Sequence, residues 1–288
     1  MSFPTATPAP AVETVIAPTR GWRFLDTREL WAYRDLLGLL VWRDFATRYK
    51  QTVLGPLWFV VQPLLMTLVF ILFGKVARID LGQTPPVLFY LCGQLPWNYF
   101  AQTFQSTSVT FTNNSGLFGK VYFPRLIVPL AAVVSNLLSM AIQLVTFGIF
   151  FAVLKCGAHG ANFGLTSGII LLPLALLQVA ALSLGVGLWV TALTAKFRDF
   201  SILATFAIQL WLYATPVIYP LSQVPVKWHW LVALNPMTLS EEFFRHALLG
   251  TDVPSPLLMA ASLAATGLVL AGGLLVFQRV EKTFVDVV

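Results

Sequence analysis

Arg43 to Phe73 reads RDFATRYKQTVLGPLWFVVQPLLMTLVFILF, and this stretch decides the fold. Its first eight residues interleave charge with aromatic rings: Arg43, Asp44, Phe45, Arg48, Tyr49 and Lys50. From Gln51 to Gly74 there is then no Asp, Glu, Lys or Arg in 24 residues. A helix rises about 1.5 Å per residue, so roughly 20 apolar residues cross the hydrocarbon core of a bilayer. The junction after Lys50 therefore predicts the point where the chain leaves a charged membrane surface and enters lipid. Gly55-Pro56 and Pro63 fall inside this first span, where kinks are tolerated if neighbouring helices satisfy the freed carbonyls.

Composition extends that reading to the whole chain. Of 288 residues, 57% are hydrophobic and 10% charged, against about 25% charged in a soluble domain. The chain reads as an all-α membrane protein of several spans. Its net charge of +6 is explained by Lys and Arg in cytoplasmic loops rather than by nucleic-acid binding. Cys92 and Cys156 match no metal or redox spacing. The first 25 residues lack a long apolar core, carry Pro4, Pro8, Pro10 and Pro18, and read as a flexible cytoplasmic tail rather than a signal peptide.

From residue 26 to 50 the pattern is that of an amphipathic interface helix. Asp26 and Glu29 have capping-box spacing, and Leu30, Tyr33, Leu37, Leu40 and Val41 share one face. Trp22, Trp31 and Trp42 suit headgroup depth. Five more apolar stretches follow the first, with spans near 87–111, 126–154, 168–192, 200–216 and 256–277. Six spans put both termini on one side. With the termini inside, thirteen of the eighteen basic residues fall in cytoplasmic segments, which sets that orientation.

The spans hold no ionisable residue and show no internal repeat, which argues against an ion-coupled or inverted-repeat transporter. Their polar residues are neutral, among them Gln62, Thr67, Gln94, Asn98, Asn136, Gln143, Gln178 and Gln209, residue types that hydrogen-bond helices together. Between spans two and three, residues 113–123 read as a short cytoplasmic helix. Leu117, Phe118, Val121, Tyr122 and Phe123 make it too apolar to face water alone. Between spans five and six, Pro216, Pro220, Pro225, Pro236 and Pro254 cut a long outer segment into pieces too short to span. They read as short re-entrant helices over about 219–250. Gly119-Lys120 is followed by Val121 and Gly74-Lys75 by Val76, where a phosphate-binding loop needs Ser or Thr, so this chain is no ATPase.

Several motifs together resemble a known family. They are RYKQTVLGPLW (48–58) followed by Pro63, GQLPWNYF (93–100), KVYFPR (120–125) and FRDF (197–200). TPVIYPLSQVP (215–225), LNPMT (234–238) and FRHALLG (244–250) complete the set. From about Trp31 to the end, the chain resembles the Wzm-like membrane permease subunits of type-2 ABC exporters that move O-antigen polysaccharide. Capsule and teichoic acid exporters belong to the same broad family, and these motifs do not separate its members.

The resemblance implies a homodimer in the inner membrane, each copy bound to a separate cytoplasmic ATPase that carries ATP and Mg; no cofactor is expected in this chain. It implies that 113–123 is the coupling helix, with Asn113, Leu117, Phe118, Lys120, Tyr122, Phe123 and Arg125 at the ATPase. Tyr219, Trp228, Trp230, Glu241, Glu242 and Arg245 would belong to the outer gate. The substrate would be a polymer on a lipid pyrophosphate carrier. Arg43, Arg48, Tyr49, Lys50, Trp58, Trp97 and Tyr99 are the candidates for gripping its head or lining its path. Arginine forks onto phosphate oxygens as lysine cannot, and rings stack on sugar C–H faces. Anchoring to anionic lipid explains Arg43, Arg48 and Lys50 equally well. Two rival classes stay open: an integral-membrane glycosyltransferase, which would need paired carboxylates that the sequence lacks, and a passive channel.

Overall fold

A computed structural model describes residues 27–50, 52–157, 163–197 and 199–284; the expected cap at Asp26 and the N-terminal tail lie outside them. Among the described residues the chain is helical throughout its regular structure, with no strand. Two short helices, α1 (Thr27–Ala32) and α2 (Arg34–Tyr49), lead to α3 (Trp58–Val76). Then come α4 (Pro86–Ser108), α5 (Thr110–Phe118), α6 (Ile127–Cys156), α7 (Leu172–Lys196) and α8 (Asp199–Ala214). Two more short helices, α9 (Val226–Leu234) and α10 (Pro236–Leu249), precede the long α11 (Pro256–Phe284). The stretch expected as one helix over 26–50 is divided at Tyr33, whose backbone leaves the helical region (φ −96°, ψ 19°).

Four helical segments are long and apolar enough to cross a membrane: Gly55–Val76, Ile127–Cys156, Ser167–Lys196 and Pro256–Glu281. The first and third each gain a turn of 3₁₀ helix at the start, Gly55–Leu57 and Ser167–Leu171. α4 is long but less apolar because it is the centre of the molecule, with its aromatic residues and the polar Gln94, Thr103, Thr107 and Ser108 buried. Those polar groups bond to the surrounding helices: Gln94 Nε2 donates to Thr67 Oγ1 at 2.7 Å and Asn98 Nδ2 to Gln143 Oε1 at 3.0 Å. A bilayer offers no hydrophobic drive between helices, so small residues and such bonds hold them together.

α3 lies on this centre along one stripe, Phe59, Pro63, Thr67, Phe70 and Gly74, spaced to recur once per turn. Much of the rest of α3 is exposed, including Leu65, Met66, Leu68, Val69, Leu72 and Phe73. α8 buries only Ala204 and Ile208. The apolar stripe of α1 and α2 is covered by protein: Leu40 is buried against Phe123, Ile127, Val128 and Ala131, with Leu30, Tyr33, Leu37 and Val41 beside it. Trp31, Leu39 and Trp42 point away from this cluster and stay exposed.

Candidate functional site

The candidate residues gather at the two ends of the bundle. At the end where α2 meets α3, α4 and α6, Arg48 reaches into the bundle. Its Nη1 donates to Asn136 Oδ1 at 2.8 Å and its Nη2 to Ser106 Oγ at 3.4 Å. Asn136, fully buried on α6, donates in turn to Thr103 Oγ1 of α4 at 3.1 Å. Both acceptors of Arg48 are neutral, so they fix the guanidinium plane, and no carboxylate among the described residues pairs with its charge. Arg43 is spent differently, with Nε and Nη2 both on Asp44 Oδ1 at 3.0 and 2.8 Å. Lys50 and Trp58 are exposed, and the side chain of Tyr49 lies outside the described residues. Trp97 and Tyr99 are brought elsewhere: both are buried in the core, Trp97 against Phe100 at 5.7 Å and Tyr99 donating its hydroxyl to the Val133 carbonyl at 3.1 Å.

At the same end, the short helix read from sequence as 113–123 forms earlier, over Thr110–Phe118, and the chain then turns through Gly119 to Pro124. The helix starts within two residues of the end of α4, since Val109 alone departs from helical geometry between them. Phe118 and Phe123 face inward, 5.7 Å apart, and the Arg125 guanidinium sits 5.5 Å over the Phe118 ring. Leu117 packs on the same side. Asn113, Lys120, Val121 and Tyr122 face out, Tyr122 with 71% of its surface exposed. The segment thus divides its apolar residues between an inner face that holds it in place and an outer tip.

At the opposite end, α9 and α10 make a helical hairpin. Asn235 starts α10, its Oδ1 accepting from the Met237 N–H at 3.1 Å, with Pro236 at the first helical position, where a missing N–H costs nothing. α10 buries charge: Glu241 is 0% exposed and Arg245 1%. Arg245 donates from Nη1 to Glu242 Oε1 at 3.1 Å and from Nη2 to the Val217 carbonyl at 2.9 Å, and lies 4.1 Å over the Phe89 ring of α4. Gly93 on α4 makes room for it, because a Cβ there would come 3.1 Å from the Val217 oxygen and 3.2 Å from Arg245 Nη2. Neither carboxylate oxygen of Glu241 has a hydrogen-bond partner among the described residues. Burial holds its carboxyl well above the ordinary range, opposed by the Arg245 charge and reinforced by Glu242.

α9 contrasts with α10. None of its residues is buried, and Trp228, Trp230, Leu231 and Leu234 are all exposed. Between α8 and α9 opens a cleft of about 810 Å³, lined in part by Trp211, Tyr219, Gln223, Trp228 and Asn235. Trp211 Nε1 donates to Asn235 Oδ1 at 3.1 Å and Asn235 Nδ2 to Thr215 Oγ1 at 2.8 Å, so the polar groups of the cleft hold its own walls. Among the described residues no group of His, Cys, Asp and Glu could hold a metal ion.

A helical membrane chain with a half-apolar loop at one end and a hairpin at the other now meets its relatives. Residues 35–249 match the family described as ABC-2 type transporter. The chain belongs to that family. ABC-2 type transporter chains of this kind are membrane permease subunits. Similar proteins include the O-antigen export system permease protein RfbA of Klebsiella pneumoniae, 28% identical over 88% of this chain and 95% of that protein. The protein of the same name from Myxococcus xanthus is 30% identical over 88% and 96%. The capsule polysaccharide export inner-membrane protein CtrC of Neisseria meningitidis serogroup B is 25% identical over 76% and 81%.

The structure of this ABC-2 type transporter chain adds residues that the sequence left unremarked as site members. Asn136, Ser106 and Thr103 organise Arg48, while Phe89 and Gly93 make the seat for Arg245. Trp211 and Asn235 shape the outer cleft. The signal for Asn136 was its polarity within an apolar span; nothing in the sequence pairs it with a residue 88 positions away.

Proposed function

We propose that this chain is the transmembrane subunit of an exporter that moves a lipid-linked polysaccharide of the O-antigen type, driven by ATP hydrolysis on a separate chain. The observation that carries the reading is the end-to-end likeness to O-antigen export permeases, covering 88% of this chain and at least 95% of theirs. The site residues fit that work. A polymer of sugars asks for a wide path with neutral amides and aromatic faces, and the exposed faces of α3 and α8 carry Gln62, Trp58, Gln209 and Tyr213 among apolar residues.

In this reading α4 and α8 join the four long apolar segments as spans, giving six, with both termini in the cytoplasm and the protein in the inner membrane. α8 has 16 residues and a length of about 24 Å, which suffices where it borders a second copy of the chain rather than lipid alone. Two copies form the path, and α1 and α2 lie at the inner surface with Trp31 and Trp42 among the headgroups. The outward tip at Lys120, Val121 and Tyr122 docks on the ATPase, which holds ATP and Mg. Arg48 offers its charge to the pyrophosphate of the carrier lipid, and α9 and α10 bound the outer exit.

Deleting the gene tests the reading. Surface polysaccharide disappears while the finished polymer accumulates on its lipid inside the cell. Polymer that still reaches the surface, or that is never made, removes it. Loss of a capsule in place of lipopolysaccharide side chains would move the substrate to the class exported with CtrC.

A further inference from the structure

α11 is tied to other parts of the chain near both of its ends, and the ties fall on the two regions that the proposed function makes the ATPase dock and the exit. In its last turns, the Arg125 N–H donates to Glu281 Oε1 at 3.2 Å and Arg125 Nη1 to the Glu281 carbonyl at 2.9 Å. A cation belongs there, because the C-terminal end of a helix carries its negative pole. Phe111 of α5 stacks on Phe277 of α11 at 5.1 Å and 13°, so the docking segment grips α11 with rings as well as with charge.

Near the other end, Gln178 Nε2 of α7 donates to Ser262 Oγ at 2.6 Å, and Ser262 Oγ donates to the Pro236 carbonyl at 2.9 Å. Pro236 opens α10 directly after the joint with α9. The two ties lie 19 residues apart, about 28 Å along a continuous helix. Between them α11 meets α7 backbone to backbone. A Cβ at Gly185 would stand 2.8 Å from the Leu270 Cα, and one at Gly273 would stand 2.5 Å from the Gly185 oxygen. Contacts this close leave little room for bending, and coupling across such distances travels through rigid elements.

We propose that α11 is the strut that carries displacement of the α5–α6 segment to the α9–α10 joint, with Arg125, Glu281, Ser262 and Gln178 as its positioning residues. This rests on the proposed function, which supplies the driving ATPase at one end and the exit at the other. What moves at the exit is α9, which buries no residue, while α10 stays seated on α4 through Arg245.

The test uses the full complex with its ATPase in lipid nanodiscs. A Cys92→Ala, Cys156→Ser parent carries a single reporter, Trp230→Cys on exposed α9, and its reaction with a membrane-impermeant maleimide is timed with and without ATP. The parent is expected to change its labelling rate at least threefold on ATP addition. Ser262→Ala, and separately Glu281→Ala, should abolish that change while ATPase co-purification and hydrolysis persist; Gln178→Ala replaces Ser262→Ala if the latter fails to accumulate. Ser139→Ala, a buried hydroxyl on α6 that takes part in neither tie, should leave the change intact. An undiminished response in the Ser262 and Glu281 variants overturns the strut, as does an equal loss from Ser139→Ala. A parent with no ATP response removes the exporter reading itself and the strut with it.

Discussion

Arg48 and Glu241 show how differently one chain treats two charges. Arg48 is held at the bundle end by neutral partners, Asn136 and Ser106, with no ion pair among the described residues. Arg48→Lys retains the charge and loses the two-branched donation. Export should fall about tenfold, the equivalent of about 1.4 kcal/mol, with membrane yield and ATPase binding unchanged. Normal export by that variant would assign Arg48 to anchoring alone. Glu241 is sealed without a bonding partner. A carboxyl whose folded pKa is raised stabilises the fold fully below its ordinary value of 4.5, and that contribution declines as pH rises through the raised value. The wild-type melting temperature should therefore fall from pH 5 to pH 8, and Glu241→Gln should flatten the slope; parallel profiles would contradict this. Gly93→Ala, which drives a methyl toward Val217 and Arg245, should destabilise by about 1–3 kcal/mol, read by thermal unfolding in detergent. None of this pairing was legible in the sequence. Glu241, Glu242 and Arg245 entered there only as outer-gate residues implied by the resemblance, because helical spacing reports which residues share a face and not whether another helix covers it.

At the scale of elements, the sequence located the helices well. The uncharged runs, Pro breaks and charge clusters placed α4, α6, α7 and α8 to within about four residues, since lipid enforces helix wherever the chain is apolar for long enough. α11 runs on to Phe284, past the expected end at 277. The sequence placed the short helix after α4 three to five residues late, because Thr110 and Phe111 continue almost without a break from α4 and were counted in the span. The difference matters for testing the docking surface. Phe118 packs on Phe111, Phe123 and Arg125, so Phe118→Asp would disturb the fold itself. Tyr122→Ala touches only the exposed tip. It should cut co-purification of the ATPase and export to below a third while leaving membrane yield intact, as expected of an aromatic anchor at an interface worth about 2 kcal/mol. Unchanged co-purification would remove Tyr122 from the dock. The stripe on α1 and α2 was legible as a face, yet periodicity could not say that Phe123, Ile127 and Val128 cover it.

The whole molecule is built on a largely buried α4, with α7 half-buried beside it and α3, α6 and α11 mostly exposed around them. α3 and α8 expose broad apolar faces with a few amides, and α9 stands over a cleft of about 810 Å³. In the proposed function such faces are left for lipid, a second copy or a passing polymer. Composition made the membrane class plain; the path proposed between two copies was not legible, because the sequence of one chain cannot pair their surfaces. The central claim is that this chain moves a lipid-linked polysaccharide only when an ATPase works beneath it. The direct measurement reconstitutes chain and ATPase in vesicles holding the lipid-linked polymer in the outer, ATPase-facing leaflet, and follows its appearance in the lumen. The account predicts transfer that requires ATP and both chains, and that stops when the ATPase is made hydrolysis-deficient. Polymer reaching the lumen with this chain alone and no ATP would show a channel, and would contradict the account.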